Sequence, residues 1–562
     1  MSRAEWAKTR IATAIRPLVR VSEPPAMRTM WDVPVTVRDG TVLRANVFLP
    51  PEDSPVPAIM CAHPYGKDRI PKNTRNGKGI NFQFRLIPQP DVIEISNLTN
   101  WEAPDPAFWV AHGYAVVNCD LRGGGTSGGT AELFSDQEAE DYYDLIEWVA
   151  AQPWCTSRVG LDGVSYLALS QYKVAALGPP HLAAICPWEG FSDLYRDFAR
   201  PGGVREDGFT IIWSKGTRRG ARVATDVRAE IVRHTELDHW YSARTPDVEK
   251  IKVPMLQCAS FSDHSLHSRG SFEAFRRSGS TWKWLYTHRV GKWSHYYGAA
   301  ATDERRRFFD HFLKGADNGW DNRPPVEVRV HEFGDAPVET IGANSWPPDD
   351  LEWRTLHLDG HRGEMRDQPA EQEATATFST KSRPVEFVWK VPYDLDIIGP
   401  MSLEVPISLA GADDANVFVA VRKFHNGQEV GFEGSYGYRL DVVSRGWQRV
   451  AHRQLDARLS SPEQPVHRHD LVEPVRPGEL VPTHIALLPH ATRFRAGDEL
   501  RVALGGRWFI PRDPLRGQFP AGYQRGPHVR CVVHTGPRMK AALYLGLRRL
   551  VGSNTNDTTA SP

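Results

Sequence analysis

Residues 160–168, Gly-Leu-Asp-Gly-Val-Ser-Tyr-Leu-Ala, place a serine between an apolar run and a helix-forming run. Residues 158–162 predict a short strand, and Gly163 permits the strained backbone of a sharp turn. Ser165 would then project its hydroxyl at the N-terminus of a helix over residues 166–177, where free N–H groups stabilise developing negative charge. This arrangement is typical of a nucleophile elbow. The alternative is a serine that only caps the helix, so partners must be found.

A serine nucleophile needs a histidine base and a carboxylate that orients the base. In hydrolases of the strand–turn–helix type, the acid and the histidine follow the serine in the chain, each at the end of a later strand. Asp263 follows a predicted strand that ends at residues 258–260, so it is the candidate acid.

Two histidines follow the next predicted strand, residues 282–287, and either could be the base. We favour His288 over His295 because His288 lies at the tip of the strand. His264 and His267 precede this strand and are interpreted as rim or structural residues.

These residues need a sheet that brings strand ends together. Asp39-Gly40 between two β-rich runs predicts a hairpin, and Ser135 to Glu138 predicts a capped helix. Buried strands alternate with helices, which favours a mostly parallel sheet covered on both faces. The further predicted strands cover residues 58–62, 114–120, 182–186, 253–258 and 282–287.

The composition and the strand pattern of the chain change at two points, which predicts two domains. Residues 187–250 are rich in Trp, Arg, Asp and Gly without strand signals, which favours an inserted helical cap. Beyond Pro324-Pro325, short strand-like runs predict a β-sandwich. The predicted partition is an N-terminal lead (1–32), an α/β catalytic domain (33–335), a β-sandwich (345–551) and a disordered tail (552–562).

Composition argues against several partner classes. Of 562 residues, 68 are Lys or Arg and 68 are Asp or Glu, so no global field favours nucleic acid or an anionic membrane. Six scattered cysteines without a C-x-x-C pair, no signal-like segment and no membrane-length apolar run predict a cytoplasmic protein. The glycine-rich run at 120–129 lacks the phosphate-loop pattern, and we predict neither cofactor nor metal.

Several motifs resemble those of the CocE/NonD-type serine hydrolases, the family of cocaine esterase, α-amino-acid ester hydrolase and X-Pro dipeptidyl-peptidase. They are Pro64-Tyr65-Gly66-Lys67, Asp120-Leu121-Arg122-Gly123 with Ser127-Gly128, Glu147-Trp148 through Gln152-Pro153-Trp154-Cys155, Gly163-Val164-Ser165-Tyr166, Ser262-Asp263 and Phe309 to Gly315. The resemblance implies an α/β-hydrolase fold with a helical cap and a C-terminal jelly roll. It also implies Ser165 as nucleophile, Asp263 as acid, and the Tyr65 hydroxyl with the Tyr166 backbone N–H as the oxyanion hole.

The sequence departs from the family pattern at one position and is ambiguous at another. Ala168 replaces the last glycine of the family elbow, and its methyl group should tighten the packing of helix on strand. Residues 291–295, Gly-Lys-Trp-Ser-His, resemble the family segment that carries the histidine, which supports His295. Other relatives resemble the chain at His288, so both remain candidates.

The residues around the predicted site favour an apolar substrate. The helix after Ser165 carries no acid that could bind a substrate ammonium, and Trp188, Phe191 and Phe261 are predicted to line the rim. We predict a serine carboxylic-ester hydrolase acting on a small-molecule ester or amide, with X-Pro dipeptidyl-peptidase or amidase activity as the alternative. A catalytically silent binding protein is a third interpretation, and the sequence leaves homo-oligomerisation open.

Overall fold

A computed structural model describes residues 8, 11–12, 15–74, 77–87, 89–334, 336–435, 441–509 and 521–550 of the chain. The predicted tail at 552–562 and part of the predicted lead lie outside the described residues. No helix in these ranges is long and apolar enough to cross a bilayer.

The described strands are β1 (Val19–Ser22), β2 (Arg28–Thr36), β3 (Val42–Leu49), β4 (Val56–His63), β5 (Lys72–Thr74), β6 (Gly77–Gly79), β7 (Ile93–Ser96), β8 (Ala115–Asp120), β9 (Cys155–Val164), β10 (Leu182–Trp188), β11 (Met255–Ser260), β12 (Lys283–His288), β13 (Val326–His331), β14 (Pro337–Ala343), β15 (Glu352–Asp359), β16 (Glu364–Arg366), β17 (Ala374–Ser379), β18 (Val385–Lys390), β19 (Leu395–Ala410), β20 (Asn416–His425), β21 (Gln428–Val430), β22 (Ser444–Arg449), β23 (Val481–Phe494), β24 (Glu499–Gly505), β25 (Arg530–Thr535) and β26 (Ala542–Arg549).

The described α-helices are Gln83–Leu86, Pro106–Ala111, Asp136–Ala150, Tyr166–Ala175, Phe209–Thr217, Val227–Arg233, His239–Ser242, Ser268–Arg277, Lys292–Tyr296 and Ala299–Lys314. A π-helix covers Leu194–Ala199, and short 3₁₀ turns cover Pro201–Gly203, Val248–Lys250, Trp320–Asn322 and Val450–His452.

The N-terminal domain contains a twisted sheet in the order β2–β3–β8–β4–β9–β10–β11–β12–β13–β14. Strands β8 to β13 run parallel, and the strands at both ends are antiparallel. The predicted hairpin is formed by β2 and β3, with Gly40 at φ +82° in the turn. Because the parallel strands share one direction, their carboxyl ends meet at one edge, where the loops after β9, β10, β11 and β12 converge.

Apolar strand residues are buried on both faces of this sheet, as continuous apolar runs predict. One face packs against the helices Asp136–Ala150 and Tyr166–Ala175. The other face packs against Pro106–Ala111 and Ala299–Lys314, where Phe308 and Phe309 are fully buried.

The predicted cap at the N-terminus of helix Asp136–Ala150 forms in part. The Ser135 side chain accepts a hydrogen bond from the Glu138 N–H at 3.2 Å. The Glu138 carboxylate does not return to Ser135; it accepts from the Phe134 N–H and, at 2.6 Å, from the Tyr166 hydroxyl. The helix start is thereby tied to the helix that follows Ser165.

Between β10 and β11 the chain forms helical segments, among them Phe209–Thr217 and Val227–Arg233, in the region predicted as a cap. The C-terminal domain is β-rich. One group of antiparallel strands is β17–β25–β19–β26–β15, and a second is β18–β24–β20–β22. Apolar residues from both groups form a single core.

Candidate active site

Ser165 lies between the end of β9 and the helix Tyr166–Ala175, with φ +64° and ψ −112°. This left-handed, strained backbone is what a nucleophile elbow requires, and a non-glycine residue adopts it only where the surroundings enforce it. The Ser165 side chain makes no capping hydrogen bond to the helix, so the capping alternative does not describe it. At Gly163, a Cβ would lie 2.6 Å from the Leu167 Cβ, which explains the glycine before the turn.

Ala168, which replaces the last glycine of the family elbow, packs against Gly190 in the loop after β10. A Cβ added at Gly190, in the loop after β10, would lie 2.8 Å from the Ala168 Cβ. The Ala168 methyl group therefore fills the space that the absent Gly190 side chain leaves, and the helix keeps its close approach to the loop.

The histidine beside Ser165 is His267. Its Nε2 lies 2.9 Å from the Ser165 Oγ, and its Nδ1 is hydrogen-bonded to the Asp263 Oδ2. Asp263 and His267 are both less than 2% exposed and belong to the loop between β11 and the helix Ser268–Arg277. The three side chains form a continuous serine–histidine–aspartate series, with the predicted Ser165 and Asp263 at its two ends.

The two histidines expected to reach Ser165 contact other groups instead. The His288 Nε2 lies 3.0 Å from the Glu189 Oε1, and the His295 Nε2 lies 2.9 Å from the Tyr286 hydroxyl. Neither has a hydrogen bond to Ser165 among the described residues. The interpretation of His267 as structural is corrected by its contact with Ser165, because the loop after β11 curls back over the serine before the chain reaches β12.

Lys292, at the start of the helix Lys292–Tyr296, is a further residue of this site. Its Nζ lies 2.6 Å from the Asp263 Oδ2, 2.8 Å from the His267 Nδ1 and 3.5 Å from the Glu189 Oε2. Glu189, Asp263 and His267 converge as they would around a metal ion. However, the Lys292 ammonium lies among them, so the chain itself supplies the cation of this cluster.

Burial and charge set the ionisation of the series. Burial opposes the charge of Asp263, but the neighbouring His267 and Lys292 outweigh burial and hold its pKa well below the usual range. Burial lowers the pKa of His267, and Lys292 lowers it further against the opposing effect of Asp263. Around neutral pH the series therefore contains an ionised Asp263 and a neutral His267, the state that a general base needs.

The predicted oxyanion donors lie near Ser165. Tyr65 lines the same cavity as Ser165, and its hydroxyl accepts a hydrogen bond from the Trp213 Nε1 at 3.2 Å, which leaves its own proton free to be donated. Burial raises the pKa of Tyr65 well above its ordinary value, so the hydroxyl stays protonated. Tyr166 is the first residue of its helix, and its N–H has no intrahelical acceptor.

A cavity of about 390 Å³ opens onto Ser165 and is largely apolar. Its apolar lining includes Trp101, Phe209, Ile212, Trp213 and Trp293. The cap helix Phe209–Thr217 thus contributes much of the wall. Three cations, Arg69, Lys215 and Arg219, lie on its exposed side.

The three aromatic residues predicted at the rim do not line this cavity. Trp188 is fully buried against Tyr286 and Tyr296, and Phe261 stacks on Phe272. Phe191 is buried against Phe198 and lies beside His267. All three belong to the packing beneath the site.

Sequence reasoning missed His267, Lys292 and the cap residue Trp213, and it also missed Glu102, whose side chain lines the cavity. The spacing Asp263-x-x-x-His267 was the available signal for the first, since four residues on a tight loop can bring two side chains together. Lys292 lies in the Gly-Lys-Trp-Ser-His segment, which drew attention to His295 and not to the lysine. Nothing local distinguishes the lining tryptophans from core tryptophans.

Comparisons with known proteins identify related sequences for both domains. Residues 39–297 match the family described as X-Pro dipeptidyl-peptidase (S15 family), and residues 318–509 match the X-Pro dipeptidyl-peptidase C-terminal non-catalytic domain. Cocaine esterase from Rhodococcus sp. (strain MB1 Bresler) is 34% identical over 184 residues, which are 33% of this chain and 27% of the esterase.

Solved structures extend the likeness to nearly the whole chain. A CocE/NonD family hydrolase from Staphylococcus aureus superposes with a TM-score of 0.88 and 33% identity, covering 93% of this chain and 94% of the other. An α-amino acid ester hydrolase shares the fold at a TM-score of 0.69 and 15% identity, covering 93% of this chain and 97% of the other.

Proposed function

Because the chain belongs to the CocE/NonD family of hydrolases, we propose that it is a serine hydrolase that cleaves carboxylic esters of small molecules. The observation that carries the proposal is the 2.9 Å contact between the Ser165 Oγ and the His267 Nε2, with Asp263 behind the histidine, at the end of an apolar cavity.

The proposed mechanism follows from the hydrogen-bonding capacity of His267. An ionised Asp263 can only accept, so the His267 Nδ1 carries a proton and the Nε2 lone pair faces Ser165. His267 takes the Ser165 proton as the serine oxygen attacks the ester carbonyl carbon. The Tyr65 hydroxyl and the Tyr166 N–H donate to the carbonyl oxygen as it becomes negative.

Collapse of this intermediate breaks the bond to the alcohol, and the proton on the His267 Nε2 passes to the leaving oxygen. Water then enters, gives a proton to His267 and attacks the acyl-serine. The acid is released, the proton returns to Ser165, and no external cofactor is needed for the balance of atoms and electrons.

The acids of the cap support an ester rather than a peptide substrate. A dipeptidyl-peptidase must bind a free N-terminal ammonium, which needs a carboxylate in the closed site. Five acids in the first part of the cap already have partners: Glu189 with His288 and Lys292, Asp193 with Arg196, Asp197 with Arg269, Glu206 with backbone N–H groups of Gly208 to Thr210, and Asp207 with Arg205 and Arg228. None of them lines the described cavity.

One carboxylate keeps the peptidase alternative testable. Glu102 lines the cavity, and its Oε1 accepts a hydrogen bond from the Trp293 Nε1 at 3.1 Å. Burial raises the pKa of Glu102 to about 7, so only part of the population is ionised at neutral pH. A substrate ammonium at this position would favour the ionised form.

Covalent labelling tests the nucleophile. We expect a fluorophosphonate to add one group at Ser165 by mass spectrometry, and Ser165→Ala to lose both labelling and ester turnover. Ser170→Ala, in the same helix, is the matched control and should keep both. Labelling at another serine, or full turnover by Ser165→Ala, would refute the serine mechanism.

A substrate panel tests the bond that is cleaved. We expect acyl and aromatic esters to give a higher kcat/KM than Gly-Pro anilides, and N-acetylation of an amino-ester to leave turnover intact. If the anilide is the better substrate and its N-acetylation stops hydrolysis, the enzyme is a dipeptidyl-peptidase, and Glu102→Gln should then raise KM for the free amine selectively.

We also propose that the C-terminal domain is a jelly roll and that the enzyme works in the cytoplasm. Two groups of antiparallel strands around one core support the first. The six cysteines are free and buried, which suits a reducing compartment and supports the second.

A further inference from the structure

Three buried carboxylates interact with one buried lysine beside His267. Glu102, Glu189 and Asp263 are at most 5% exposed, and Lys292 is 1% exposed. The Lys292 Nζ lies 2.6 Å from Asp263 and 3.5 Å from Glu189. Asp263, which is hydrogen-bonded to His267, is thus closer to the lysine than Glu189 is.

One cation cannot neutralise three buried carboxylates, so two of them are expected to hold protons part of the time. Burial raises the pKa of both Glu102 and Glu189 to about 7, whereas at Asp263 the interactions with His267 and Lys292 outweigh burial and hold the pKa well below its usual range. Because Coulomb energy depends on distance, the position of the lysine selects the acid that stays ionised.

Contacts with the C-terminal domain fix the position of Lys292 beside the carboxylates. Lys292 begins the helix Lys292–Tyr296, and its backbone N–H donates to the Ser435 carbonyl of the C-terminal domain at 2.9 Å. The Ser435 hydroxyl lies 3.3 Å from Glu189 and 2.7 Å from the Ser260 hydroxyl. The lysine is therefore anchored from behind, and its side chain is directed into the cluster.

We propose that Lys292 is a positioning residue of the catalytic site, which keeps the ionised carboxylate of the cluster at Asp263 and thereby orients His267 toward Ser165. The inference rests on the proposed serine mechanism. If the proton moved to Asp263, the acid could donate to the His267 Nδ1, the Nε2 would carry the proton, and the histidine could not accept from Ser165. Holding the histidine of a catalytic triad in the wrong tautomer lowers kcat by about 10⁴.

The lysine also affects the base itself. An ammonium cannot accept a hydrogen bond, so at 2.8 Å from the His267 Nδ1 it acts only through its charge and opposes protonation of the imidazole. Among the described residues, the charged or titratable groups that face Lys292 include Asp263 and His267 from the loop after β11, Glu189 from the loop after β10, Glu102, and His288 through its pair with Glu189. His288 does not compensate for the lysine, because burial lowers its pKa to about 3 and keeps it neutral.

The pH profile of kcat/KM tests the proposal, because both effects move it in one direction. Without Lys292, Asp263 is easier to protonate and His267 is easier to protonate, so the acidic limb should move to higher pH. We expect Lys292→Met to shift this limb upward by at least one pH unit, to lower the plateau kcat about 10- to 100-fold and to leave KM for a neutral ester nearly unchanged.

Two further variants separate the electrostatic role from a packing role. Lys423→Met removes a buried lysine of the C-terminal domain that pairs with Asp498 at 3.2 Å, and it should lower stability without moving the acidic limb. Lys292→Met with Glu189→Gln removes one negative charge with the positive one, and it should return the limb toward that of the wild type.

The outcomes are distinct. If Lys292→Met is folded by circular dichroism, is labelled at Ser165 and keeps the wild-type limb, the lysine inference is overturned while the serine mechanism stands. If the double variant shows the same limb as Lys292→Met, charge is not the cause and the inference is also overturned. Should Ser165 resist labelling in the wild type, the proposed function itself fails.

Discussion

At the scale of single residues, the acid and the base of the site lie on one short loop. Asp263 and His267 are four residues apart, between β11 and the helix Ser268–Arg277, and the Asp263 N–H donates to the Ser268 hydroxyl at 3.0 Å. Because one loop carries both groups, their relative placement depends on local backbone geometry and less on the packing of distant strands.

The first prediction is therefore that His267 is the base. We expect His267→Ala to lower kcat by about 10⁴–10⁶, since loss of the base disables the whole series. His295→Ala, which removes a half-buried ring bonded to Tyr286, should lower kcat by less than about tenfold. Steady-state kinetics on one ester decides between them.

A large loss of kcat in His288→Ala with little loss in His267→Ala would restore the expectation from the sequence.

The pH dependence of the wild type gives a second test of His267 as the base. Burial lowers the pKa of His267 from its ordinary value of 6.5, so the imidazole stays neutral at pH values somewhat below 6.5. We therefore expect kcat/KM to stay constant as the pH falls through 6.5 and to decrease only at lower pH.

The second prediction concerns the side-chain donor for the oxyanion. Removing one such donor costs about 10²–10³ in kcat, or about 2.7–4 kcal/mol. Tyr65→Phe should show this loss with little change in KM, because the hydroxyl stabilises charge that exists only in the transition state. The ring of Tyr65 packs on Tyr166, and because Tyr65→Phe keeps that ring, we expect the fold to be preserved. An unchanged kcat would assign the oxyanion to other groups.

At the scale of elements, the sequence predicted the strands near the site because their residues are apolar on both faces. The predicted strands 114–120 and 282–287 overlap β8 and β12 to within one residue at each end, and the turn at Ser165 follows from Gly163 and the helix formers after it. The base could not be found in this way. The spacing of Asp263 and His267 could have paired these two side chains. However, periodicity reports only which face of an element is buried, and the approach of His267 to Ser165 depends on tertiary contacts that no local pattern encodes.

The third prediction tests the packing of the nucleophile helix against the loop after β10. A methyl group at Gly190 would meet the Ala168 methyl at 2.8 Å and the Tyr172 ring at 3.0 Å. We expect Gly190→Ala to destabilise the protein by about 1–3 kcal/mol through overpacking. Denaturant midpoints and activity measure the effect.

Adding Ala168→Gly should recover part of this loss, although a glycine within a helix itself costs about 1 kcal/mol. Gly216→Ala is the control for an added methyl group, because no atom lies within 4 Å of it and alanine is favoured over glycine in a helix, so it should not destabilise the protein. If the double variant is no more stable than Gly190→Ala alone, the Ala168 methyl does not limit this contact.

At the scale of the whole molecule, the C-terminal domain takes part in the site. Ser435 contacts Glu189 and Ser260, and β13 of the catalytic sheet pairs with β23 at His331 and Thr492. The network behind His267 is thus closed by residues from both domains. A catalytic domain without its partner would expose Lys292 and Glu189 to water and weaken their electrostatic effect on Asp263.

The domain interface contains a buried cation that leads to the last prediction. Arg289 is fully buried, donates to the Val442 carbonyl, stacks over Phe432 at 4.2 Å and lies 3.7 Å from Asp441. These partners belong to the C-terminal domain, whereas Arg289 directly follows β12. Separating the domains would leave a buried charge without them, so the two domains should unfold together.

We expect calorimetry at a fixed scan rate to show one main transition that coincides with loss of esterase activity. Arg289→Met should lower the midpoint temperature of this transition, because breaking a buried ionic contact costs about 3–5 kcal/mol. Arg354→Met, which removes a pair with the exposed Asp367 inside the C-terminal domain, should lower it far less. The outcome that contradicts this prediction is two resolved transitions, with loss of activity following only one of them and neither midpoint changed by Arg289→Met. It would show that the two domains are stable independently.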